Sequence, residues 1–328
     1  MSCGIDRPLL RAAACTALAA LLVNAAFAQT YPVRPPRLIV PYVPGGIADF
    51  IGRVVGEGVQ EPLGVPFVIE NRGGAGGNVG VDFVAKSVPD GYTLGLVCLG
   101  YASNAVLQSK IPYDPIKDFV PITMIGSSPS VIVVHPSLPV KTLQDFIALA
   151  KQRPTELAYG SSGPGTGSHL SVVLFSAQTN TQMTHIPYKG TAQALPDLLA
   201  GRIQFMFDFP TVSMPHIMSG KLRALAITSQ KRSEALPDVP TVDQAGVKGF
   251  EFGTWCGILT PAGVAAPIAE KLSASLIKAL ESSTVRSRLA QQAIQVTPMS
   301  LQQFAAFIRD DLERWKKLVR EGRLQMLD

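Results

Sequence analysis

The chain is short of the residues from which most catalytic and metal sites are built. Its 328 residues include four histidines, four cysteines and two tryptophans, and only 16% are charged. His135, His169, His185 and His216 are scattered with no H-E-x-x-H spacing, so the zinc-protease helix is absent. Cys3, Cys15, Cys98 and Cys256 contain no C-x-x-C pair, which excludes a zinc ribbon, a thioredoxin-type dithiol and a dense disulfide scaffold. The nucleotide-binding G-x-x-x-x-G-K-[ST] is missing. A dinucleotide G-x-G-x-x-G fails at Val79 when begun at Gly74, and at Ser168 when begun at Gly163. The G-x-S-x-G elbow of α/β hydrolases is also missing. No periodic repeat or low-complexity tract occurs. Beyond residue 28 no apolar run is long enough to cross a bilayer. These gaps leave no metal, no cofactor and no catalytic residue to name.

What is present begins with an export signal. Arg7 and Arg11 precede an apolar stretch from Ala12 to Phe27 that ends in Ala26-Phe27-Ala28. A basic start, a short apolar run and a small-x-small exit read as a signal peptide cut before Gln29. The mature chain is therefore expected in the periplasm, with no cysteine at the cut to carry a lipid. The leader holds Asp6, Arg7 and Arg11, so the formal charge falls from +5 to +4 on removal. That surplus is mild and diffuse, which draws anions but does not predict nucleic acid. Hydrophobic residues make up 47%, enough for two ordinary cores. Cys98 and Cys256 remain in the mature chain. Both lie in apolar runs and are expected as buried free thiols in strands of the first domain, although the compartment permits a bridge.

Strands and helices alternate. Leu38 to Val40, Pro66 to Ile69 and Thr93 to Leu99 read as strands. Between them lie a helix bearing Ile47, Phe50, Ile51, Val54 and Val55 and another around Val79 to Val88. This order predicts a parallel sheet covered by helices. Val120 to Ile125 reads as a strand leaving that unit, and Val131 to Val134 as one opening a second. There Leu157 to Tyr159, Thr184 to Tyr188, Phe205 to Phe207 and Leu225 to Thr228 are strand candidates with helices between them. Gly201 and Gly220 stand where helix C-caps belong. Thr254 to Leu259 is placed as a return to the first unit. Thr142 to Asp145 and Ser300 to Gln303 are capping-box patterns, the second opening a helix with Phe304, Ile308, Leu312 and Trp315 on one face.

Several strand-to-helix joints carry glycines: Tyr42 to Asp49, Gly73 to Asn78, Gly160 to His169 and Tyr188 to Thr191. Loops at the carboxyl ends of parallel strands are where open α/β sheets bind ligands, and a helix start presents free N–H groups and partial positive charge. These joints are candidate anion sites that need no Arg or Lys. The Gly73 to Gly77 run reads as mainly structural. Asp49 and Arg53, four apart, read as an ion pair rather than a ligand contact. His169 is open between donor and packing residue. Asp208, directly after a buried strand, is assigned a cleft or hinge role.

Taken in order, Pro41-Tyr-Val-Pro-Gly-Gly-Ile-Ala-Asp49, Glu70-Asn-Arg-Gly-Gly-Ala-Gly-Gly-Asn78, Pro89-Asp-Gly-Tyr-Thr-Leu94, Tyr113-Asp-Pro-Ile-Lys-Asp-Phe119, Gly160-Ser-Ser-Gly163 with Ser168-His-Leu170, Pro187-Tyr-Lys-Gly190, Leu236-Pro-Asp-Val-Pro-Thr241 and Pro261-Ala-Gly263 resemble the substrate-binding components of tripartite tricarboxylate transporters, the Bug family. The resemblance covers nearly the whole mature chain. It implies an α/β two-lobe periplasmic-binding-protein (Venus-flytrap) fold, each lobe a mostly parallel sheet flanked by helices. Domain one then takes residues 29–128 and 254–328, and domain two 129–253, after the signal peptide 1–28. It also implies a monomer that closes on a small carboxylate for the membrane components of such a transporter. By resemblance the ligand-binding residues are Gly45, Gly46, Ile47, Ala48 and Asp49 in one loop, and Ser161, Ser162, Gly163, Thr166, Ser168 and His169 in the other. Tyr42, Asn104, Tyr188, Lys189, Gly190, Asp208 and Phe209 join them. Ile47-Ala48 and Phe209 depart from more polar residues common in the family. They lean the expected ligand toward a less polar acid, aromatic acids included, unless these side chains turn away from it. The competing readings are an exported α/β enzyme, whose only local nucleophile–base candidates are Ser162 or Ser168 with His169, and a component that presents ligand to a signalling receptor.

Overall fold

The structure, a computed structural model, describes residues 31–327. The expected leader and its cleavage site lie outside the described residues. Two sheets organise the chain, each flanked by helices. The first contains β1 (Arg37–Val40), β2 (Val68–Asn71), β3 (Thr93–Cys98), β4 (Phe119–Pro129), β10 (Gly253–Pro261) and β11 (Gln295–Val296), in the order β11-β4-β10-β3-β1-β2. The second contains β5 (Val131–Val134), β6 (Ala158–Ser161), β7 (Thr184–Pro187), β8 (Phe205–Asp208) and β9 (Arg223–Ile227), in the order β7-β6-β8-β5-β9.

Each sheet has a parallel part and an antiparallel part. β1 runs parallel to β2 and β3, joined through α1 (Ile47–Gly58) and α3 (Asn78–Ala85), with the short α2 (Gln60–Leu63) between. The parallel order read from the alternation is therefore present. The remaining strands, β10, β4 and β11, pair antiparallel. In the second sheet β6 is parallel to β7 and β8, whereas β5 pairs antiparallel with β8 and β9. The strands that enter from the other lobe, β10 in the first sheet and β5 in the second, oppose both of their neighbours. A strand that enters a sheet from the other lobe arrives without a crossover helix to reverse it, and so opposes its neighbours. All six residues of β3 and all four of β5 are buried, as expected for strands covered on both faces.

The crossings are tied together. The chain passes from β4 to β5 at Ser130 and returns before β10 through Phe252. Thr228 Oγ1 accepts from the Ser130 N–H at 2.8 Å and donates to the Phe252 carbonyl at 2.6 Å. One threonine thus joins both passes. The last helix, α11 (Leu301–Arg320), starts in the capping box read from Ser300 and Gln303 and buries Phe304, Ile308, Leu312 and Trp315. Asp311 is buried on the same helix, where both the Trp255 and Trp315 indole N–H groups donate to its Oδ2. The capping box at Thr142 and Asp145 is formed as well.

One expectation is overturned. Cys98 and Cys256 are not free thiols but a disulfide, with Cα atoms 4.0 Å apart. Each was correctly placed in a buried strand. The sequence did not disclose that β10 returns beside β3 in a register that sets Cys256 directly opposite Cys98, closer than the roughly 7 Å beyond which no bridge can form.

Candidate functional site

A cleft lies where the two sheets' strand ends meet; the space between its walls, counted out into solvent, is about 430 Å³, of which only about 30 Å³ is room for the centre of a water-sized molecule, so the lobes stand nearly closed on it. From the first lobe it is lined by Tyr42, Val43, Gly46, Ile47, Ala48 and Cys98. From the second come Ser162, Thr166, Gly167, Ser168, Gly190, Thr191 and Phe209, and the return strand adds Thr254. No charged side chain is among them. Four helix starts border the cleft: α1 after Gly46, α6 (Gly167–Thr179) after Thr166, α7 (Thr191–Leu199) after Gly190, and α8 (Pro210–Met218) after Phe209. None has a side-chain cap. Uncapped helix starts carry N–H groups without helical partners and about half a unit of positive charge each. Their convergence makes the cleft attractive to an anion without Lys or Arg.

The loops are shaped by hydroxyls rather than charge. Thr166 Oγ1 donates to the Gly163 carbonyl at 2.7 Å, and the Ser162 N–H donates to Ser168 Oγ at 2.9 Å. Ser161 Oγ accepts the Gly163 N–H at 3.0 Å and lies 2.6 Å from His185 Nε2. His169 Nδ1 accepts the Gly165 N–H at 3.2 Å, and its ring stacks on that of His185. Burial, followed by the neighbouring His185, pushes His169 down to about 3; burial alone takes His185 to about 4. Both rings are therefore neutral at ordinary pH.

The structure brings together Tyr42, Gly46, Ile47, Ala48, Ser162, Thr166, Ser168, Gly190 and Phe209 of the residues named from sequence. The others lie off the wall. The Gly45 N–H donates to Asp49 Oδ2, and Asp49 is paired with Arg53 at 3.0 Å. Burial alone would raise the Asp49 carboxyl, but hydrogen bonds from Arg53 and Gly45 hold it below the usual range. Ser161 and Gly163 sit behind Ser162 as loop supports. Tyr188 donates to Asp197 Oδ2 at 2.6 Å, on α7, and Lys189 is exposed. Asn104 is fully buried between the lobes, donating to the Gly76 carbonyl at 3.2 Å.

Asp208 is wholly buried directly behind Phe209, and neither carboxyl oxygen has a partner at hydrogen-bonding geometry. Burial raises it to about 7, against the opposing pull of the Phe209 N–H and the Thr191 and Ser213 hydroxyls around it. Sequence reasoning missed Val43, Cys98, Gly167, Thr191 and Thr254. Val43, Gly167 and Thr191 lie inside glycine-bearing stretches that were singled out. Thr254 and Cys98 reach the cleft only through the pairing of β10 with β3.

The lobes touch across the cleft mouth. Ser103 Oγ, on α4 (Gly100–Leu107), donates to the Gly165 carbonyl at 2.6 Å. A Cβ on Gly165 would lie 1.7 Å from Asn104 Oδ1, and one on Gly76 would lie 2.6 Å from the Pro164 carbonyl oxygen. At Gly76 only glycine lets the two backbones come this close, and at Gly165 the Asn104 side chain fills the space a Cβ would need.

Known proteins place this geometry. Residues 51–324 match the sequence pattern of the tripartite tricarboxylate transporter family receptor, TctC. Protein BugT of Bordetella pertussis is 39% identical over 297 residues, 90% of this chain and 91% of that protein. The periplasmic binding protein BugD superposes with a TM-score of 0.86 at 33% identity, over 90% of this chain and 99% of that one, which confirms the two-lobe periplasmic binding fold. A protein from R. palustris solved with adipate gives a TM-score of 0.84 at 35% identity, over 88% of this chain and 97% of that one. MatC from Rhodopseudomonas palustris, solved with bound malate, gives 0.83 at 32% identity, over 88% of this chain and all of that one.

Proposed function

The chain belongs to the tripartite tricarboxylate transporter receptor family, and on that premise we propose that it captures a small carboxylate in the periplasm and delivers it to the membrane components of a tripartite transporter. The ligand is a mono- or dicarboxylate, aromatic acids included. It is held in the cleft, chiefly by main-chain N–H groups at the helix starts after Gly46 and Thr166, with the Ser162 and Ser168 hydroxyls beside them. The observation that carries this reading is the meeting of uncapped helix starts from both lobes in a cleft without a charged side chain. A ligand that bridges the two lobes favours the closed arrangement, because it makes its full set of contacts only there. The relatives solved with adipate and malate lend support, as both are carboxylates.

The protein acts as a binding monomer and not as an enzyme. A nucleophile needs a base in reach and an orienting third group. Ser161 and His185 supply the contact, but no carboxylate bonds to His185 among the described residues. His169 uses Nδ1 on the Gly165 N–H and makes no bond to Ser162 or Ser168. Mass spectrometry of small molecules released from the denatured, freshly purified protein should return an unmodified acid, and calorimetry should then measure its affinity. Gly46→Pro, which removes an N–H at the cleft, should weaken binding at least tenfold. Arg53→Ala, which loses a helix-surface pair with Asp49, should change it less than threefold. The reverse order in folded variants would sink the main-chain clamp.

A further inference from the structure

The cleft is not uniform, and its asymmetry bears on the kind of acid it accepts. Small hydroxyls come from the second lobe and the return strand: Ser162, Thr166, Ser168, Thr191 and Thr254; the first lobe adds only the Tyr42 phenol, which donates to the Gly76 carbonyl at 3.4 Å. Apolar side chains come from the first lobe: Val43, Ile47 and Ala48. Phe209 belongs with them, for although it follows β8 of the second lobe it is 4% exposed and packs into the first lobe's hydrophobic cluster. Its ring edge lies 3.5 Å from where a Cβ on Gly167 would stand, so it reaches across the first turn of α6.

The four helix starts are not equally open to a ligand. α8 begins with Pro210, which has no N–H to offer, behind the Phe209 ring. The start of α7 is covered by Val43, whose Cγ2 lies 2.6 Å from a Cβ built on Gly190. The starts of α1 and α6 remain. They belong to opposite lobes and both border the cleft, so one carboxylate can be shared between them. A second carboxylate on the same ligand would meet Val43, Ile47 and Phe209, where no charge and no free N–H row can replace its water.

We infer that the ligand is an acid with a single carboxylate and an apolar body, aromatic or aliphatic, and that Ile47 and Phe209 select that body against a second charged group. The inference rests on the carboxylate-clamp reading above. Isothermal titration of the full mature chain, freed of bound ligand by unfolding and refolding, tests it with benzoate, phenylacetate and hexanoate against adipate and malate. At least one monocarboxylate should bind ten times more tightly than either dicarboxylate. Ile47→Thr, nearly isosteric, and Phe209→Asn should each narrow that preference by about tenfold, with circular dichroism confirming the fold.

Tighter binding of adipate or malate by the wild type overturns the substrate class while leaving the clamp standing. Binding of neither set at millimolar concentration overturns both. A monocarboxylate preference unchanged in both folded variants overturns the assignment of selectivity to these two side chains.

Discussion

Replacing Asp208 by asparagine should stabilise the ligand-free protein progressively more as pH rises from 5 to 8. The cause is a wholly buried carboxyl group: its folded value is raised from 3.8 to about 7, first by burial, against the weaker pull of the nearby Phe209 N–H and the Thr191 and Ser213 hydroxyls. Between those values the folded chain keeps a proton that the unfolded chain has released. The stability this group contributes is complete below about pH 4, declines as pH climbs, and is lost once pH has passed through about 7. About two of the three pH units fall between pH 5 and 8, so the ceiling on the change in that window is about 3 kcal/mol at about 1.4 kcal/mol per unit. Local relaxation lowers it, and the expected loss in the wild type relative to the variant is about 1–3 kcal/mol. His169 and His185 titrate with the opposite sign, since their folded values lie below 6.5, and contribute stability that is lost as pH falls. They are common to both proteins and cancel in the difference. Urea unfolding of both proteins at pH 5, 6, 7 and 8 gives the difference curve directly. Any fixed cost of the asparagine amide shifts that curve without changing its slope. A flat curve, or one falling with pH, would refute the account of Asp208 as a strained neutral acid.

The disulfide predicts no free thiol in the denatured, unreduced protein, and Cys98→Ala with Cys256→Ala should cost about 2–4 kcal/mol in urea unfolding. Gly165→Ala places a methyl group where Asn104 stands at closure and forces a residue with φ +72° to carry a Cβ. Ligand affinity should fall at least a hundredfold, and the ligand-induced decrease in radius of gyration seen by small-angle scattering should vanish. A Gly165→Ala variant that binds and contracts normally would mean that the lobes do not meet at this contact.

Much of the fold was legible because the signals were local. Apolar periods placed Ile47 and Ile51 on one buried face, and capping boxes at Thr142 and Ser300 formed as read. Glycine joints marked the helix starts that became the cleft. What was not legible depends on contacts between distant segments. The pairing of Cys98 with Cys256 needs the register of β10 on β3. Thr254 enters the cleft by the same pairing, and nothing in its neighbours announces it. The roles of Tyr188 and Asp49 were set by local partners, Asp197 and Arg53, that draw each side chain away from the cleft. Phe209 and Ile47, by contrast, are among the residues that line it.

The position of the disulfide has a consequence for the chain's integrity. Cys98 and Cys256 are 158 residues apart, and every strand of the second sheet lies between them. The second lobe is therefore a closed covalent ring, pinned at its neck to the first. A protease that nicks a single exposed loop within that ring leaves both products on one molecule, and reduction is needed before they separate on a gel. A receptor working outside the cell's reducing interior would thus survive one cut without shedding half of its binding cleft.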